Sequence, residues 1–188
     1  RPFRGKELFG KTMGIIGTGN IGLHMIKMAR GAGMKVLAYD VIKREEASYD
    51  IGFEYTELDD LLAKSDFISL HVPLLDATRH MIDEDSFKKM KDDALLVNSA
   101  RGGIIDTGAL INALENGEVA GAAIDAVEDM DDLKDGLTEL ENIVITPHIA
   151  FHTEEADIRR METTVENIES MLEEGKPENQ VLPEGIPG

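Results

Sequence analysis

The sequence predicts an α/β protein built on a doubly wound parallel sheet of about six to seven strands. Three observations lead there. Short apolar runs alternate with amphipathic stretches along the chain. The runs are nearly continuous in apolar residues, as strands covered on both faces require, and do not show the period of two of half-buried strands. The first run flows directly into a glycine-rich turn, GTGNIG, that opens a helix.

Taken in order, strands are expected at TMGIIG (12–17), KVLAYD (35–40), FEYT (53–56, weaker), DFISLHV (66–72), ALLVNSA (94–100), GAAIDAV (121–127) and NIVITP (142–147). The helix after GTGNIG runs to about Arg30, with a further glycine at Gly33. Thr56 precedes ELDDLLAKS with Asp59 three residues on, a capping-box arrangement with Asp in the usual place of Glu. Asp106 opens TGALINALENG, in which Leu110, Ala113 and Leu114 share a face and Gly117 marks the stop. Thr153 opens the longest helix, about 154–174, and Gly175 ends it. The tail KPENQVLPEGIPG has three prolines and no periodicity. This pattern divides the chain into residues 1–152, a dinucleotide-binding domain, and residues 153–188, a C-terminal helix and tail.

Composition narrows the function. With a formal net charge of −18, the chain would repel nucleic-acid phosphates, and any anionic ligand needs a local positive field. No apolar run approaches the roughly 18 residues of a membrane helix. The absence of cysteine excludes disulfides and thiolate metal sites and agrees with a cytoplasmic location. The start, RPFRGKELFG, has neither an initiator Met nor a signal-peptide core, which suggests a shortened chain.

In GTGNIG, Gly17 allows a tight turn, Gly19 leaves room for a pyrophosphate against the backbone, and Gly22 lets helix and strand pack closely. Asn20 and Ile21 complete the loop at the helix N-terminus, where free N–H groups and the helix dipole favour phosphate. The motif alone is weak. Here it follows a strand, opens a helix, and precedes a second strand that ends in Asp40, 18 residues past Gly22. Asp40 is expected to accept hydrogen bonds from the adenosine ribose and to repel a 2′-phosphate, which favours NAD over NADP. Lys43 and Arg44 lie just beyond and soften that preference; the plainer reading of Asp40 is a turn residue.

Ligands of doubly wound sheets bind at the carboxyl ends of the strands. Those ends carry HVP (71–73), NSARGG (98–103), IDAV (124–127) and TPHIA (146–150). The ordered set GTGNIG, Asp40, HVPLLDATRHMI, NSARGGIIDTGAL, GAAIDAVE and ITPHIAFHT resembles the cofactor-binding domain of the D-isomer-specific 2-hydroxyacid dehydrogenases, over about residues 5–180. ITPHIAFHT is most similar to the D-lactate and D-2-hydroxyisocaproate branch.

The resemblance implies a Rossmann-type domain, NAD as cofactor, a small 2-keto or 2-hydroxy acid as substrate, and a homodimer. It implies that Arg101 binds the substrate's carboxylate and carbonyl oxygen and that His148 is the acid/base. Val72, Pro73, Thr78, Ala100 and Asp125, together with Arg101 and His148, are implied to line the cofactor. Chemistry asks for two of these residue types independently. A guanidinium fork matches a carboxylate, and carbonyl reduction needs a proton donor that titrates near neutrality. The plainer readings are an arginine in a surface ion pair and a strand-end histidine bonded to a carbonyl. His71 matches a motif that shapes the nicotinamide end, whereas His24, His80 and His152 read as surface or packing residues, without metal-ligand spacing.

Two departures from the family pattern stand out. The family usually has a glutamate five residues after the aspartate matching Asp125, paired with the histidine; that position is Met130 here. Glu128, Asp129 or Asp131 takes that part if the loop has shifted register, Glu128 being the catalytic candidate; the alternatives are that the partner is lost and the site weakened, or that the acidic run is a solvated loop. The family's N-terminal substrate-domain segment is expected to be missing, so that residues 153–188 are a remnant of that domain. The alternative function is an NAD(H)-binding regulatory or assembly module that does not turn over on its own; a third reading is the family's NADP-preferring glyoxylate or hydroxypyruvate branch, against which Asp40 speaks.

Overall fold

The computed structural model describes residues 5–128 and 136–180. Two compact units divide between His148 and Ile149. In the first, seven strands form: β1 (Thr12–Ile16), β2 (Lys35–Tyr39), β3 (Glu54–Tyr55), β4 (Phe67–Leu70), β5 (Leu95–Asn98), β6 (Gly121–Ile124) and β7 (Ile143–Ile145). Each falls within the apolar run expected for it. They make one sheet in the order β3-β2-β1-β4-β5-β6-β7, every pair parallel. The order reverses between β1 and β4, the switch point at which such sheets bind ligands.

Successive side chains of a strand enter different cores. Met13 and Ile15 pack with Ile26 and Ala29 of α1 (Asn20–Gly31), while Ile16 packs on the opposite face with Leu61 and Leu62 of α3 (Leu58–Lys64). The second face continues to Phe87 of α4 (Glu84–Lys89) and Leu110 and Ala113 of α5 (Thr107–Asn116). Each of the fully buried Ile and Leu side chains contributes about 1.5–3 kcal/mol of transfer free energy. Gly14 sits inside β1 because a Cβ there would lie 2.5 Å from Cδ2 of Leu61.

The helix ends follow the sequence in most places. Asp106 caps α5 by accepting from the Ala109 N–H, and Gly117 closes it at φ +70°. The capping box at Thr56 does not form. Thr56 still donates its N–H to Ala38 of the sheet, so α3 starts later, behind Glu57 and without a side-chain cap. Two helices stand outside those expected from the sequence, α4 and the short α2 (Glu45–Ile51); α2 buries no residue and so shows little amphipathic signal.

In the second unit α6 (Glu154–Glu174) is capped by Thr153, which accepts from the Ala156 N–H, and Gly175 ends it in the left-handed conformation. Among the described residues, no helix is long and apolar enough to cross a membrane.

Parallel register is what assembles the site. Tyr39, Ile16, Leu70, Asn98, Ile124 and Ile145 stand side by side as the last residues of β2, β1, β4, β5, β6 and β7. Everything just beyond that row lies on one edge of the sheet.

Candidate active site

Gly17 follows β1 at φ +97°, and a Cβ on it would lie 2.7 Å from the backbone carbonyl of His71, just past β4. Gly22, in the first turn of α1, would put a Cβ 2.0 Å from the Gly17 oxygen. The fold itself therefore excludes side chains at both positions. Gly19 differs. Its φ of −65° is ordinary and a Cβ there would meet nothing within 4 Å. Among the described residues no contact calls for glycine at this position, which fits a cradle kept open for a group from outside. Gly19 caps α1 without a side-chain hydrogen bond, and the first turn carries no acid, so no cap side chain or acid compensates the N–H groups at this helix end. Ile21 is 71% exposed at this mouth.

Beyond β2, the Asp40 carboxylate is half-buried and reaches back to the glycine turn, accepting from the Thr18 N–H and hydroxyl through Oδ2 and from the Ile42 N–H through Oδ1. Beyond β4, His71 bonds Ser69 Oγ through Nε2 at 2.9 Å, and burial holds its pKa below the ordinary 6.5. Val72 comes close to Gly17, where its Cγ1 would lie 2.9 Å from an added Cβ. Thr78 ties the segment after Pro73 into a turn, donating to the Pro73 carbonyl at 2.6 Å and accepting from the Leu75 N–H at 2.8 Å.

Asn98, at the end of β5, is 1% exposed and was not singled out from the sequence. Its Nδ2 donates to the Arg101 carbonyl at 2.9 Å and its Oδ1 accepts from the Ala100 N–H at 3.0 Å. It thereby shapes the turn that carries Arg101, whose exposed side chain donates to the Ala100 carbonyl. The available signal was a polar residue closing an otherwise apolar run, ALLVN. Gly102 follows, with Val127 of the loop after β6 directly against its backbone.

Asp125, immediately past β6, is 5% exposed; its carboxylate accepts from the Thr146 hydroxyl. Its carbonyl accepts from the His148 N–H at 2.7 Å, and the Thr146 carbonyl also accepts from that N–H at 3.0 Å. His148 is exposed and stands at φ +55°, a left-handed conformation that only His80 shares among the described non-glycine residues. Such backbone costs about 1–2 kcal/mol for an L-residue and persists where surrounding bonds hold it.

Glu128 accepts from the Arg79 guanidinium through Oε1, and its Oε2 bonds His80 Nε2 at 2.7 Å. The carboxylate expected to serve His148 is thus bonded to the segment after β4. Asp129, Met130 and Asp131 lie outside the described residues. Among the described residues, no group of three or more His, Asp or Glu is gathered as a metal site.

Comparison with known proteins points in one direction. Residues 1–150 match the family model described as D-isomer specific 2-hydroxyacid dehydrogenase, NAD binding domain. A glyoxylate reductase of Thermococcus litoralis is 44% identical over 179 residues, 95% of this chain and 54% of that protein. A hydroxypyruvate reductase of Thermotoga maritima is 45% identical over 177 residues, 93% of this chain and 56% of that protein. Among solved structures, D-lactate dehydrogenase of Lactobacillus jensenii with NAD+ superposes with a TM-score of 0.85 at 36% identity, over 94% of this chain and 57% of that one. The chain spans about half the length of the relatives it matches. On the sheet order, the glycine turn and these matches together, the chain belongs to the D-isomer specific 2-hydroxyacid dehydrogenase family and comprises its NAD binding domain.

Proposed function

We propose that this chain is the cofactor-binding part of an oxidoreductase that interconverts a 2-keto acid and its D-2-hydroxy acid. NAD, when bound, supplies or accepts the hydride. The observation that carries the reading is the shared edge of the sheet. Gly19, Arg101 and His148 follow β1, β5 and β7, whose ends the parallel register aligns.

The open backbone at Gly19 and the free first turn of α1 receive the pyrophosphate, with Asn20 and Ile21 beside it. Asp40 accepts from the adenosine ribose, and its negative charge disfavours a 2′-phosphate. Val72, Pro73, Thr78, Ala100 and Asp125 shape the rest of the cofactor groove. Arg101 holds the substrate carboxylate through its fork of N–H donors, which orients the keto carbon. His148 donates a proton to the carbonyl oxygen as negative charge develops there, and takes one back in the reverse direction. Its pinned backbone supports that assignment, because a strained conformation held by two hydrogen bonds fixes the direction of the ring's Cα–Cβ bond. Glu128 is read differently from the expectation: its bonds to Arg79 and His80 make it a brace for the loop after β6. A homodimer and a cytoplasmic location complete the reading, on the family resemblance and the cysteine-free composition.

The test is NADH oxidation, followed at the nicotinamide absorbance, by the polypeptide that carries this chain, with a panel of 2-keto acids and a parallel NADH titration. Turnover that disappears in Arg101→Gln and His148→Asn while NADH still binds is the expected result. Tight NADH binding with no turnover on any 2-keto acid would leave a binding module in its place.

A further inference from the structure

We propose that Thr18 and Tyr55 are positioning residues that set the ribose specificity of the cofactor site through Asp40. This rests on the reading of Asp40 as the ribose acceptor. Four groups form one chain of hydrogen bonds. The Arg44 N–H lies 3.0 Å from the Tyr55 hydroxyl, that hydroxyl lies 2.8 Å from Thr18 Oγ1, and Thr18 Oγ1 lies 3.0 Å from Asp40 Oδ2. The Thr18 N–H adds a second bond to the same carboxylate oxygen, at 2.5 Å.

The direction of each bond follows from what each end can do. An ionised carboxylate only accepts, so Thr18 must spend its one hydroxyl proton on Asp40. Thr18 Oγ1 must then accept from Tyr55, and the Tyr55 oxygen is left to accept from Arg44 N–H. The relay runs one way, from the β2–α2 segment to the carboxylate, and bonds chained in this manner polarise one another. Thr18 is fully buried, so its hydroxyl has no water with which to exchange partners.

Two consequences bear on the ligand. Oδ2 already accepts two hydrogen bonds, whereas Oδ1 accepts one, from Ile42 N–H, so Oδ1 is the oxygen with an acceptor site to spare. The relay thereby determines which carboxylate oxygen meets a ribose hydroxyl. Tyr55 also anchors the segment that would otherwise supply positive charge to a 2′-phosphate. It holds the Arg44 backbone, and Lys43 Nζ stands 5.9 Å from the centre of its ring. Tyr55 comes from β3, at the sheet edge, and reaches the site only by tertiary folding.

The experiment measures NADH and NADPH dissociation constants by nicotinamide fluorescence for the chain and for Tyr55→Phe, Thr18→Val, Thr18→Ser and Asp40→Ala, with melting temperatures alongside. Tyr55→Phe keeps the ring under Lys43 and removes only the hydroxyl. Loss of one relay bond is expected to weaken NADH about three- to tenfold and to leave NADPH unchanged or tighter, so that the preference narrows. Thr18→Ser, which keeps the hydroxyl, is expected to retain it. In the Asp40→Ala background, Tyr55→Phe is expected to change the ratio no further, since the two act as a unit. A ratio that moves with Asp40→Ala but not with Tyr55→Phe or Thr18→Val overturns the relay and leaves the ribose reading standing. A ratio indifferent to Asp40→Ala removes the ribose reading, and the relay with it. Should buried Thr18→Val fail to fold, Tyr55→Phe decides alone.

Discussion

A Cβ on Gly102 would stand 2.1 Å from the carbonyl carbon of Val127, so the turn after β5 and the loop after β6 meet backbone to backbone. The contact joins the turn carrying Arg101 to the loop carrying Glu128. It leaves no room for any residue but glycine at this position.

Gly102→Ala is therefore expected to push the two loops apart. Overpacking of this kind costs about 1–3 kcal/mol, and the Arg101 turn moves with it. Denaturant unfolding should show the loss of stability. If the polypeptide that carries this chain reduces a keto acid as proposed, its KM for that acid should rise more than the dissociation constant for NADH. An unchanged KM would mean that the turn tolerates the displacement.

The three glycines of the β1–α1 turn separate into two kinds. Gly22→Ala meets the Gly17 carbonyl and should destabilise the fold by about 1–3 kcal/mol or more. Gly19→Ala meets nothing and should leave the melting temperature nearly unchanged while NADH affinity falls about tenfold, equivalent to about 1.4 kcal/mol. Equal effects of the two substitutions on stability and binding would contradict the distinction.

His148→Asn keeps a residue that tolerates the left-handed backbone and removes the imidazole. Stability should hold within about 0.5 kcal/mol, whereas turnover should fall roughly 10²–10⁴-fold. His148→Val, β-branched at φ +55°, should cost stability as well. Normal turnover in His148→Asn would assign the proton transfer to another group.

His71 gives stability a pH dependence of known sign. Its folded pKa lies below 6.5 because burial disfavours the imidazolium. Above that pH both states are neutral at this position and stability is complete. As pH falls through it, the unfolded chain binds the proton first and stability declines until the folded pKa is passed. His71→Gln should flatten denaturation midpoints measured across about pH 5 to 8. Asp66 and Asp83 act lower. Burial raises the Asp66 pKa, but the Thr12 N–H and Lys91 outweigh it, and the Ser86 N–H lowers that of Asp83. Both lie below 3.8, so their contribution is present above that value and lost as pH falls beneath it. A wild-type decline that persists unchanged in His71→Gln would point to a different group.

The sequence alone determined the elements whose causes are local. Near-continuous apolar runs marked the central strands, because a strand buried on two faces needs apolar residues at successive positions, whereas the edge strand β3 left only the weaker signal FEYT. Asp106 and Thr153 announced their helices because a cap bonds an N–H only three residues away, and Gly117 and Gly175 closed them because glycine enters the left-handed region freely. The glycine spacing of GTGNIG and the order of motifs likewise lie in the chain itself.

Only the tertiary structure decided the rest, because those contacts join residues far apart in sequence. Thr56 resembles a cap, but it gives its N–H to the Ala38 carbonyl just past β3, and α3 starts behind Glu57. Glu128 faces Arg79 and His80, nearly fifty residues upstream, through packing that no local pattern encodes. Asn98, Thr18 and Tyr55 gain their positions in the site from the parallel register, which brings the strand ends into one row. Local preference acts within a turn or two of backbone. The alignment of strand ends is a property of the whole sheet.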